Sequence, residues 1–81
     1  MSAPSNRPPR QFVKDIIEVE AWRHGVDVAS VYASRAAASK LARRRSWTRI
    51  LDETGCSING LATVWGIDRQ AIWRVHRAKV S

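Results

Sequence analysis

The sequence predicts an all-α fold: a small helical domain of about five helices that ends in a C-terminal helix-turn-helix. Three observations carry this. Apolar residues recur at three- and four-residue spacing through most of the chain. No run alternates apolar and polar residues between turn signals, so no strand is expected. Gly, Ser and Asp stand where helices of ordinary length would start and stop. With 81 residues the chain makes one small domain, too short to wall a deep pocket on every side.

Each element has a local reason. "MSAPSNRPPR" holds all three prolines and little that could pack, so residues 1–10 read as a flexible lead-in and residues 11–81 as the domain. "QFVKDIIEVEAWRHG" predicts the first helix, with Phe12, Val13, Ile16, Ile17 and Val19 on the inward side and Gly25 as a left-handed cap. Asp27 is placed to cap a short second helix carrying Val28, Val31 and Tyr32. "SRAAASKLARRRSWTRILDETG" predicts a long third helix, because Ala and Arg are strong helix formers. Leu41, Trp47, Ile50 and Leu51 are expected to form its buried stripe, and Thr54-Gly55 to end it. Ser57 then caps a fourth helix and Asp68 a fifth.

Charge narrows the function classes. Fourteen Lys and Arg face seven Asp and Glu, a net charge of +7. Residues 1–34 hold four bases and four acids, whereas residues 35–81 hold ten bases and three acids. The entire excess lies in the second half, where a polyanion would dock. A solvated basic surface with no such partner is the plainer alternative. The single cysteine, Cys56, has no partner for an internal disulfide, which fits a reducing compartment. No apolar run is long enough for a membrane span, and the N-terminus lacks an apolar signal core.

Several chemistries lack their residues. His24 and His76 fall on separate predicted helices, and neither has a Cys or His at ligand spacing, so no metal site is expected. Asp52 and Glu53 are adjacent and point in different directions on a helix. The glycines are isolated, and no phosphate-binding loop motif occurs. An enzyme is therefore not expected, nor a cofactor or a small-molecule substrate.

"SINGLATVWGIDRQAIWRVHR" carries the positive signal. Counting from Ile58 as one, Leu61 and Ala62 are four and five, Gly66 nine, Ile67 ten, Ile72 fifteen and Val75 eighteen. That spacing resembles the helix-turn-helix pattern. Ala62 is small where two helices cross, and Gly66 allows the reversal with positive φ. Leu61, Ile67, Ile72 and Val75 seal the wedge. An ordinary corner between two helices would satisfy the same scaffold. The outer face then keeps Asp68, Arg69, Gln70, Trp73, Arg74 and Arg77. Residues near the start of such a helix reach base edges. Arg69 can bond guanine O6 and N7, and Gln70 adenine N6 and N7. Asp68 can accept from cytosine N4 or simply cap. Trp73 can touch a thymine methyl group or fold back over the core. Arg74 and Arg77 lie further along, where phosphates are the targets. Lys40, Arg43 and Arg44 share one side of the third helix and, with Arg35 and Ser57, complete the candidate backbone or minor-groove contacts.

Three segments, "IIEVEAWRHGVDVASVY", "ARRRSWTRILDETGCSINGLATVWG" and "DRQAIWRVHR", resemble domain IV of the bacterial replication initiator DnaA, an all-helical DNA reader of the Trp-repressor-like group. The resemblance covers about residues 12–79. Its distinctive pieces are His24-Gly25-Val26 with Val28, then Ala42-Arg43, Thr54-Gly55 with Ser57, and Asp68 opening the last helix. It implies a basic loop entering the minor groove at "ASRAAASK", with Arg35 and Lys40 in that role. It also implies major-groove readout by the residues at the family's Asp-His-Thr-Thr signature, here Asp68, Arg69, Gln70 and Ala71. The loop keeps only two charges, the turn is one residue shorter, Ile67 replaces a usual arginine, and His-Thr-Thr is gone. The resemblance thus implies the scaffold and a different target sequence, without the initiator's ATPase module.

The expected partner is double-stranded DNA, together with transcription or replication machinery, in the cytoplasm at the nucleoid. Transcription regulation is the leading reading, as a bacterial or phage regulator or the DNA-binding module of a longer activator. A replication-linked binder of initiator-type sites, and a helical adaptor for an acidic protein, are the alternatives.

Overall fold

The computed structural model describes residues 7–80, with side chains described as far as His76. The fold is all-α, with five helices: α1 (Arg10–His24), α2 (Val28–Ala33), α3 (Ala37–Thr54), α4 (Ile58–Trp65) and α5 (Arg69–Val80). Among the described residues there is no strand. The long α3 is the hub. It packs against each of the other four, most extensively against α1, while α4 and α5 also pack on each other.

Local chemistry sets nearly every boundary. Helices α1, α3 and α4 end at Gly25, Gly55 and Gly66, each left-handed with φ of 66°, 68° and 89°. Asp27 caps α2 by accepting from the Ser30 N–H at 2.8 Å, and Ser57 caps α4 by accepting from the Gly60 N–H at 2.9 Å. The Asp27 hydrogen bond lowers that carboxyl below its usual 3.8. A depressed folded-state pKa gives stability that is present above the unfolded value and is lost as pH falls through the folded one. The cap contribution of Asp27 should therefore fade as pH drops below 3.8. Replacing Asp27 with Asn should flatten that part of a stability-versus-pH curve. An unchanged acid limb would remove Asp27 from the account.

The core joins Val13, Ile16, Ile17 and Ala21 of α1, Val31 of α2, Ala42, Trp47 and Ile50 of α3, Leu61, Ala62 and Trp65 of α4, and Ile72 of α5. Trp65 is its aromatic centre. It meets Trp47 edge-on with ring centroids 5.7 Å apart and Tyr32 at 5.1 Å.

Three expectations about faces need correction. Leu41 is not in the stripe of α3; it is half exposed, and Ser39, Ala42 and Ser46 face inward instead. Ser46 satisfies its own hydroxyl by donating to the Ala42 carbonyl at 2.8 Å. Val19 is exposed, because Glu20 takes the inward position. Val28 and Tyr32 sit at the rim, and only Val31 of α2 is fully buried. The lead-in differs as well. Residues 1–6 lie outside the described ones; beyond them Pro8 is buried, Pro9 caps α1 and the helix starts at Arg10. Pro9 suits this boundary because it needs no N–H partner there.

Glu20 is fully buried and carries one ion pair across the helices. Arg49 of α3 reaches it at 3.2 Å and also holds Glu53 at 3.2 Å. The hydrogen bond to Glu20, then that to Glu53, raises the Arg49 pKa above the ordinary arginine value. The second Glu20 oxygen, Oε1, has no hydrogen-bond partner among the described residues. His24 Nδ1 stands 3.6 Å from it and donates instead to the Glu20 main-chain carbonyl at 2.8 Å.

Candidate nucleic-acid interface

Helices α4 and α5 meet at a three-residue turn, residues 66–68. Gly66 donates to the Ala62 carbonyl at 2.8 Å, and the Ile67 N–H reaches the same oxygen at 3.1 Å. Leu61, Ala62 and Ile72 are buried beneath this turn, with Ile67 and Val75 packed at the edge. A Cβ on Gly66 would meet nothing within 4 Å, so the positive φ, not contact at that atom, is what opposes a side chain there. Gly66→Val should cost about 1–3 kcal/mol. Each kcal/mol lowers the melting temperature by roughly 4–8 °C in a domain of this size. An unchanged melting temperature would mean that the turn can form without positive φ.

The turn places the starts of α4 and α5 side by side. Between them lies an open cleft of about 420 Å³ lined by Ser57, Ile58, Asn59, Arg69, Gln70 and Trp73. Arg69 and Gln70 are exposed, and Trp73 is half exposed with its ring toward the cleft lining rather than buried in the core. Asp68 caps α5: its Oδ1 accepts from the Gln70 N–H at 3.0 Å and its carbonyl from the Ala71 N–H at 3.1 Å. Arg69 Nη1 donates to Asn59 Oδ1 at 3.5 Å, so the guanidinium is loosely held over the cleft. Both helix N-termini add partial positive charge here.

On the far side of Ala71 a smaller recess of about 120 Å³ lies between α3 and α5. Its lining is Lys40, Arg43, Arg44, Trp47, Ala71 and Val75. Lys40 and Arg44 are exposed and can meet a polyanion. Arg43 is engaged within the protein. Its Nε donates to the Val31 carbonyl and its Nη2 to the Ser34 carbonyl, both at 2.7 Å. Burial lowers its pKa from the ordinary arginine value. It ties the end of α2 to α3, which makes it a support for the face. Arg35 is exposed in the short link before α3, and Arg74 is exposed on α5. Arg77 lies on α5, and its side chain is outside the described ones.

The basic loop expected over residues 33–40 is shorter than the resemblance implies. Helix α3 already starts at Ala37, so Lys40 projects from a helix, and only Arg35 belongs to the link. The alanines that fill this segment favour helix over loop. Asn59 and Ile58 line the cleft as well, beyond the residues expected from the turn pattern. Both follow Ser57 in the first turn of α4, so the predicted cap was the signal that could have found them. Among the described residues no group of three or more His, Cys, Asp or Glu could hold a metal ion. No helix among them is long and apolar enough to cross a membrane.

The described residues thus form a five-helix all-α domain with a cationic face divided by α5. Comparison of the chain with protein-family models, with curated proteins and with solved structures finds no match.

Proposed function

We propose that this chain binds double-stranded DNA with sequence preference, using α4 and α5 as a helix-turn-helix of the type found in domain IV of DnaA. In this reading α5 enters the major groove. Arg69 and Gln70 meet base edges, Trp73 lies against a sugar or thymine methyl group, and Asp68 serves mainly as the cap. Lys40, Arg44, Arg74 and Ser57 hold the backbone on either side, with Arg35 near the groove edge. One observation supports this above others: the cleft and the recess flank the same exposed start of α5, so the candidate readers Arg69 and Gln70 stand beside Ser57 on one side and have Lys40 and Arg44 on the other. A surface of merely solvated arginines has no reason to gather an amide, a guanidinium and an indole at one helix start.

The role we favour is transcription regulation, in the nucleoid and without a catalytic step. Selection of bound sequences from random duplexes tests the reading. A recovered consensus, with binding that weakens by a log–log salt slope of about −0.9 per phosphate neutralised, is the expected result. Recovery of initiator-type sites would move the role to replication. Equal affinity for every duplex would overturn sequence-specific readout, and no binding to duplexes at low salt would leave an acidic protein as the partner.

A further inference from the structure

Two exposed patches on this molecule are complementary to each other. The first is the outer stripe of α1. Gln11, Asp15, Glu18 and Trp22 follow one another at four-, three- and four-residue steps, so they line one side of the helix. Val13, Ile16, Ile17, Glu20 and Ala21 fill the opposite side against the core. Trp22 is 83% exposed and Val19 beside it 40%. The stripe itself is acidic, with the exposed Lys14 and Arg23 at its two edges, and Gln11 donates to Asp15 at 3.0 Å. The second patch is the outer side of α3. There Leu41 is 50% exposed, with the exposed Arg44 and Arg45 three and four residues on. One patch is an indole and a valine with two carboxylates. The other is a leucine with two guanidiniums.

We propose that the α1 stripe of one copy docks on the α3 patch of a second copy. Trp22 and Val19 cover Leu41, while Asp15 and Glu18 meet Arg44 and Arg45. A guanidinium is also well suited to lie on an exposed indole face. The two patches belong to different surfaces, so the contact is head-to-tail: each copy keeps one patch free for the next. Only a few side chains on each copy make the contact, against the roughly 20–30 residues a side of a stable complex, which makes the association weak and reversible. The proposal does not depend on the DNA-binding reading, because it concerns the free protein.

Sedimentation velocity of the full chain over a concentration series tests it. The wild type should show an average mass that rises with concentration and returns to the monomer as salt goes from about 0.05 to about 0.5 M. Two surface variants, Glu18→Lys with Trp22→Ala and Leu41→Ala with Arg45→Glu, should each stay monomeric. Their helical circular dichroism and melting should match the wild type, since these side chains are exposed. Mixed together they should form a one-to-one pair that grows no further, because each retains the patch the other has lost. A wild type that is monomeric throughout overturns the proposal, as do variants that associate like the wild type. Variants that are each monomeric and do not pair when mixed overturn the head-to-tail arrangement. If either double variant loses its fold, Trp22→Gln and Arg45→Gln replace them with the same expectations.

Discussion

Replacing Arg49 with methionine should destabilise the domain by about 3 kcal/mol, the usual cost of stripping a partner from a buried charge. The effect falls on Glu20, which is fully buried and whose Oε2 has Arg49 as its cationic partner at 3.2 Å. Its other oxygen already lacks a hydrogen-bond partner among the described residues, so the variant leaves a carboxylate poorly satisfied at both ends. Methionine keeps the apolar stem, which isolates the charge from the packing. Against a total stability of about 5–15 kcal/mol such a loss is large. Denaturant titration at neutral pH measures it as a lower midpoint with unchanged slope. Adding Glu20→Gln in the same chain should return most of the loss, because the stranded charge is then gone. Glu53→Gln should change stability by less than about 1 kcal/mol, since that arm of the pair is exposed. If Arg49→Met and Glu53→Gln cost the same, the buried pairing is not what holds α1 to α3 here.

Arg69→Ala carries the second large effect, on binding. Affinity for the selected site should fall by about 1–3 kcal/mol, roughly five- to a hundredfold, with much less change on random duplex. The reason is position: Arg69 is the exposed first residue of α5 and lies over the cleft, held by a long hydrogen bond to Asn59. That bond is easily exchanged for a base edge. Competition titration with both duplexes decides the matter. An equal loss on the two would make Arg69 a phosphate contact and leave Gln70 as the candidate reader.

The helices were legible because their ends are written locally. Gly25, Gly55 and Gly66, with Asp27 and Ser57, each act within four residues of the boundary they set. The faces were less legible. A periodicity reading looks for bulk, and α3 turns Ser39, Ala42 and Ser46 inward, so bulk alone puts Leu41 on the wrong side. Glu20 misleads in the same way, since its partner Arg49 is 29 residues distant in the chain. The candidate site followed the same division. Arg69, Gln70 and Trp73 could be placed from the turn pattern, because one glycine and one cap orient α5. Arg43 could not be separated from Lys40 and Arg44, because the carbonyls it holds are 12 and 9 residues away and arrive only when α2 packs on α3.

The four tryptophans divide evenly between interior and surface, and this has a spectroscopic consequence. Trp47 and Trp65 are buried edge to face, so their emission should report whether the core is assembled. Trp22 and Trp73 are wet, and each stands on a different outer surface. An indole that loses water, against a sugar, a methyl group or a leucine, shifts its emission to shorter wavelength. The unlabelled protein therefore carries two separable optical probes. Trp73→Phe should silence the response to duplex and leave the concentration-dependent signal, and Trp22→Phe should do the reverse.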